Sequence, residues 1–190
     1  MHGRDQEPDY LRTHLIEPLE RLLAERGASA PADWVLPAAP DRSWYPGVAA
    51  DPLDRNEAAL TVALDQLDEI AAELPADDSA VLVGFSQGGC VVAEAMALRP
   101  EPWRAAAVLT GTLLGPDPAT RTAAPQDGRP IVFATGSDDP WMPPTSALVS
   151  AAVFTAAGAS TPVTITPSAA HEIHPADLGA VADLLEELSP

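Results

Sequence analysis

Six consecutive residues, Gly84-Phe85-Ser86-Gln87-Gly88-Gly89, contain the pattern G-x-S-x-G. A serine with glycine two residues to either side suits a nucleophile lifted on a tight strand-to-helix turn. Side chains at the two flanking places would collide with the neighbouring strand and helix, and glycine removes the clash. The start of the following helix also favours developing negative charge. A serine hydroxyl needs a base to take its proton, and the base needs a group to orient it. Downstream the chain supplies an acid and then a base: Asp138 and Asp139 in Gly136-Ser137-Asp138-Asp139-Pro140, and His171 and His174 in His171-Glu172-Ile173-His174. Serine, acid, histidine is the chain order expected where a nucleophile sits on a parallel sheet. Spacing alone leaves two candidates for each partner. His174 precedes Pro175 at a helix start, where capping is the plain alternative. His14 reads as a helix-surface residue.

The elements that must carry these residues alternate in type. Residues 80–84 form a short apolar run of the kind found in buried parallel strands. A helix is expected over 88–98, a strand over 106–110, a polar loop over 115–130 and a strand over 131–135. A helix over 145–157, a strand over 163–165 and a helix over 175–188 complete the series. Upstream, Leu11, Leu15, Leu19, Leu22 and Leu23 recur at helical spacing between Pro8 and Gly27, with a kink expected at Pro18. Residues 34–37 suggest a short strand, and 37–54 a loop carrying Trp44 and Tyr45. Asp54 and Glu57 have the spacing of a capping box, leading a helix with Leu60, Leu64, Leu67, Ile70, Ala71 and Leu74 on one face. The pattern predicts an α/β fold over residues 1–190, a parallel sheet with helices on both faces and no second domain. Serine, acid and histidine each follow a strand, where open α/β sheets gather their ligands.

Composition narrows the partners. The 190 residues include 28 acidic and 10 basic side chains, a net charge of −18, and every basic one is arginine. Such a chain lacks the cationic footprint that nucleic acids require and is repelled by anionic membranes. A hydrophobic share of 46% argues against disorder at this charge. The single cysteine, Cys90, rules out an internal disulfide or a cysteine-rich zinc site and reads as a small core residue. No apolar run reaches the ~18 residues of a membrane span. The opening Met1-His2-Gly3-Arg4-Asp5 has no apolar stretch of a secretory signal, so a cytoplasmic location is expected.

With these motifs in place, the sequence resembles the small carboxylesterase/phospholipase group of α/β-hydrolases, which includes acyl-protein thioesterases. Residues 84–89 resemble the group's G-F-S-Q-G-[GA] nucleophile elbow. Gly136 to Pro143 resembles its G-x-x-D-x-x-[VI]-P segment, a likeness that selects Asp139 over Asp138. His171-Glu172-Ile173 resembles its closing histidine motif, which selects His171, with Ala170 where glycine is usual. Arg42-Ser43-Trp44-Tyr45 is similar to its R-x-W-[YF] loop, and His2-Gly3-Arg4 to the end of its H-G-R-G loop. The resemblance implies an α/β-hydrolase fold and a serine carboxylesterase or thioesterase acting through Ser86, Asp139 and His171. It implies oxyanion donors at the backbone N–H groups of Arg4 and Gln87, and an apolar wall of Trp44, Tyr45, Trp141 and Met142. It further implies a small-molecule ester or thioester substrate, no metal or organic cofactor, no nucleic acid, no membrane span, and room for a homodimer.

Two departures stand against the group's pattern. Asp5 replaces a glycine of the oxyanion loop, where an inward carboxylate would oppose a developing oxyanion. The apolar strand that precedes H-G in the group has no counterpart ahead of His2, so an N-terminally truncated domain is expected. The alternative reading is a non-catalytic hydrolase-like module with an incomplete sheet and oxyanion loop.

Overall fold

Four parallel strands, β1 (Val81–Phe85), β2 (Ala105–Leu109), β3 (Ile131–Gly136) and β4 (Val163–Thr166), lie side by side in chain order. The computed structural model describes residues 1–31, 33–74 and 80–189. Phe85 pairs with Leu109, Leu109 with Ala134, and Gly136 with Thr166, so the carboxyl ends of the strands form one rim. β2, Ala-Ala-Ala-Val-Leu, is buried throughout. Its alternating side chains enter two separate cores, as a period of two dictates. Ala105, Ala107 and Leu109 join one core, Ala106 and Val108 the other.

The helices cover both faces. α1 (Pro8–Leu11), α2 (Glu17–Arg26) and α6 (Pro175–Leu188) bury Leu11, Leu19, Leu23, Val181 and Leu184 on the first face. α3 (Leu53–Glu73), α4 (Gln87–Leu98) and α5 (Pro144–Ala156) cover the second with Leu64, Leu67, Val91, Met96 and Phe154. α4 is buried at every position from Gln87 to Ala97, which explains why its sequence is apolar or small apart from Gln87 and Glu94.

Three local expectations change. In place of a kink at Pro18, residues Arg12–Ile16 form a π-helical turn that joins α1 to α2. Proline has no N–H for the bond one turn back, and a widened turn absorbs the loss while the leucine stripe stays facing the sheet. Residues 34–37 form no strand; Val35 is exposed, and no neighbouring strand offers it a ladder. The Asp54 capping box does not form, because α3 begins at Leu53 behind Pro52, with Asp54 already inside its first turn.

Along the outer edge of β1, Met1 makes two bonds with the geometry of a parallel ladder. Its nitrogen donates to the Val83 carbonyl at 2.6 Å, and the Phe85 N–H donates to the Met1 carbonyl at 3.0 Å. Beside this pairing lies a cavity of about 480 Å³ lined by Leu15, Trp34, Leu67, Val81 and Val83 among others.

The long connection after β2 is tied down by one buried charge pair. Glu94 of α4 is fully buried; it accepts from both terminal nitrogens of Arg121 (2.9 and 2.7 Å) and from the Leu114 N–H at 2.7 Å. Removing the arginine strands a carboxylate in the core, which costs more than the pair contributes when intact. Arg121→Ala is therefore expected to lower stability by about 3 kcal/mol, measured by urea unfolding; a loss below about 1 kcal/mol, the scale of a surface pair, contradicts this reading.

Candidate active site

Ser86 stands between β1 and α4 with φ 55° and ψ −120°, a strained conformation held by its surroundings. Its N–H continues the ladder to the Leu109 carbonyl (2.9 Å), and its carbonyl accepts from Cys90 N–H (3.0 Å). Glycine is required on both flanks for different reasons. A Cβ on Gly84 would overlap the Gly88 backbone, whereas a Cβ on Gly88 would overlap the carbonyls of Met1 and His2. The elbow is thus clamped between its own helix and the N-terminal segment.

His171 brings its Nε2 to 2.8 Å from the Ser86 Oγ, and its Nδ1 to 2.8 Å from the Asp139 Oδ2. A carboxylate only accepts, so Nδ1 carries the proton and Nε2 is left to accept from the serine hydroxyl. The other oxygen of Asp139, Oδ1, accepts from the backbone N–H groups of Trp141 (2.8 Å) and Met142 (2.9 Å), and the residue is buried. Both carboxylate oxygens are therefore directed. Asp138 is exposed and accepts from the Ser137 hydroxyl at 2.6 Å.

The histidine loop is tethered at its far end. His174 is the N-cap of α6 and pairs reciprocally with Asp177: its carbonyl accepts from the Asp177 N–H at 3.0 Å, and Asp177 Oδ2 accepts from the His174 N–H at 2.8 Å. Burial raises the Asp177 carboxyl above its ordinary pKa, an effect partly offset by that backbone bond and by His174. Phe85, fully buried beneath the elbow, touches the His171 ring with centroids 5.3 Å apart.

Arg4 and Gln87 flank Ser86, and their backbone N–H groups make no hydrogen bond among the described residues. Their side chains do something the motifs did not announce. Gln87 donates to the Tyr45 carbonyl (2.7 Å) and accepts from the Trp44 N–H (2.9 Å), fastening the 43–45 loop to the elbow. The Arg4 guanidinium donates to the carbonyls of Tyr45 and Pro46 (3.0 Å each) and of Gly47. Asp5 adopts φ 59°, donates its N–H to the Arg42 carbonyl (2.9 Å), and exposes its side chain.

The expected apolar wall takes a different form. Trp44 and Tyr45 are only 2% and 3% exposed, Trp44 donating its indole N–H to the His2 carbonyl at 2.8 Å, so both support the loop from beneath. A tyrosine and a tryptophan with a buried polar tip need such partners, and the partners lie inward. Met142 is buried too, leaving Trp141, 74% exposed, as the one member of the four that presents a free apolar face. Cys90 is buried; that burial pushes its thiol up to about 11, which fits a packing residue.

His2, matched within the H-G-R loop but given no role there, is an anchor. It is buried, with Nδ1 donating to the Gly3 carbonyl (2.8 Å) and Nε2 accepting from the Ala39 N–H (3.1 Å). Desolvation lowers its pKa below 6.5, more than the bond to Gly3 raises it. A base with a depressed folded pKa is bound neutral, so its contribution is complete above about pH 6.5 and is lost as pH falls further. The melting temperature is expected to drop between about pH 7 and 5.5, and a His2→Gln variant, though less stable throughout, to drop less. Equal slopes for the two proteins would remove His2 as the cause.

A family profile described as Phospholipase/Carboxylesterase matches residues 28–189. No curated protein matches the chain significantly. Among solved structures the chain is similar to a phospholipase/carboxylesterase from Dyadobacter fermentans, with a TM-score of 0.77 at 22% identity over 97% of this chain and 87% of that one. It is similar to SOBER1 of Arabidopsis thaliana at 0.73 and 19%, over 98% and 95% of the two chains. A Bacillus cereus carboxylesterase gives 0.72 and 15%, over 100% and 86%. At these identities the structural likeness establishes the fold.

Proposed function

The chain belongs to the phospholipase/carboxylesterase family of hydrolases, and we propose that it cleaves small-molecule carboxylic esters or thioesters through an acyl-enzyme on Ser86. The observation that carries the reading is the continuous relay from Asp139 through His171 to Ser86, two contacts of 2.8 Å each. In this mechanism Nε2 of His171 takes the hydroxyl proton as the Ser86 Oγ attacks the carbonyl carbon. Asp139 holds the ring tautomer and stabilises the imidazolium. The tetrahedral oxygen settles between the Arg4 and Gln87 N–H groups at the start of α4, each donor of this kind contributing roughly 10²–10³ in rate. The imidazolium then protonates the leaving alcohol or thiol. Water, deprotonated by the same His171, attacks the acyl-enzyme, and Ser86 recovers its proton.

Trp141 is the side chain best exposed to meet an apolar acyl or alcohol group. The outward Asp5 carboxylate removes the objection raised by its replacing a glycine.

Labelling by a fluorophosphonate and hydrolysis of p-nitrophenyl acetate test the reading together. Ser86→Ala is expected to abolish labelling and lower kcat by at least about 10³-fold, and Asp139→Asn to lower kcat by about 10³–10⁴ while Ser86 remains in place. Folded wild-type protein that neither takes the label nor turns over esters and thioesters across a panel would instead support the non-catalytic module.

A further inference from the structure

Gln6 belongs to none of the motifs, yet it lies against both halves of the site. Its Oε1 accepts from the Gly3 N–H at 2.8 Å, and its own N–H returns to the Gly3 carbonyl at 3.3 Å, closing the turn that holds Arg4. Gly3 is pressed between this side chain and the nucleophile: a Cβ there would stand 2.8 Å from Gln6 Oε1 and 3.2 Å from the Ser86 Cβ. On its other side Gln6 meets Tyr10. Burial raises the Tyr10 hydroxyl above its ordinary pKa; the nearby Gln6 side chain opposes the rise, and the charge of Glu172, next to His171, adds to it. The Tyr10 ring stacks on Phe85 (5.7 Å between centroids, 19° between planes), and Phe85 in turn touches His171.

We infer that Gln6 is a positioning residue for the hydrolytic site, its carboxamide setting the Gly3–Arg4 segment against Ser86 and, through Tyr10 and Phe85, the resting place of the His171 ring. This rests on the acyl-enzyme reading above. Glutamine suits the place because its carboxamide oxygen accepts from the Gly3 N–H without carrying a charge. Asparagine is one methylene shorter, and a glutamate would bring a negative charge beside the proposed oxyanion donors. The consequence falls on the transition state, since a donor displaced by a fraction of an ångström loses the oxyanion more than it loses the neutral substrate.

The experiment compares wild type, Gln6→Met and Tyr10→Phe with p-nitrophenyl acetate and with an alkylboronic acid, whose Ser86 adduct mimics the tetrahedral species. Gln6→Met keeps the volume and loses the side-chain bond to the Gly3 N–H. Its kcat is expected to fall about tenfold with KM within about twofold, boronate affinity falling by a similar factor. Tyr10→Phe is expected to lose about threefold in kcat in the same pattern. Unchanged kcat, unchanged boronate affinity or a loss confined to KM in Gln6→Met overturns the inference. Should Gln6→Met fail to fold, the same outcomes in Tyr10→Phe decide it. A folded wild type inert to every substrate overturns the acyl-enzyme reading and this inference with it, whereas an active wild type with unimpaired variants overturns this one alone.

Discussion

Backbone against backbone, with no room for a side chain, is the contact on which the rest of the site depends. The carbonyls of Met1 and His2 lie over the first turn of α4 so closely that Gly88 admits no Cβ, and the same turn presses back on Gly84. This closeness puts Gly3 against Ser86. Apart from Met1, whose side chain is buried in the core, the segment from Met1 to Asp5 brings no apolar side chain to hold it there. The hold comes from polar side chains: His2 on Ala39, Trp44 on His2, Arg4 on the carbonyls of the 45–47 loop, and Gln87 on Tyr45. Each satisfies backbone groups that the crossing would otherwise leave unpaired, and buried polar groups are costly when unpaired.

Asp139 and His171 are fixed by a different device. Both sit where strands give way to loops, and each is steadied by hydrogen bonds at or near it: the Trp141 and Met142 N–H groups on Asp139, and the paired bonds between His174 and Asp177 just after His171. Loops are ordinarily the loosest part of an α/β fold. Here the loops that bear chemistry borrow rigidity from the starts of the helices that follow them.

Much of this was legible in the sequence because it is periodic or punctuated. Alternating apolar runs located the four strands and the principal helices, and the glycines around Ser86 announced the turn. The likeness to known hydrolases separated Asp139 from Asp138 and His171 from His174. What escaped depends on which way a side chain faces once the chain is folded. Gln87 reads as a motif position and acts as a staple. Trp44 and Tyr45 read as a wall and serve as foundation, because their polar tips find partners only inward. Residues 34–37 have strand composition and no neighbour to pair with, so propensity yields to context. Nothing in the spacing of Pro18 distinguishes a kink from a π-helical turn.

The sheet runs β1, β2, β3, β4 in the order of the chain itself, each strand pairing with the next to appear. On the proposed mechanism the three groups therefore enter the fold on a timetable. A chain that has completed β3 carries Ser86 and Asp139 at the ends of β1 and β3, with β2 between them, and lacks His171. Only when β4 adds to the edge and the chain turns into α6 does His171 reach across to Ser86. Addition of successive neighbours keeps sheet pairing comparatively local for a parallel architecture. On the proposed mechanism reactivity arrives at the end of that series, so an incomplete chain would carry the strained Ser86 without His171 beside it.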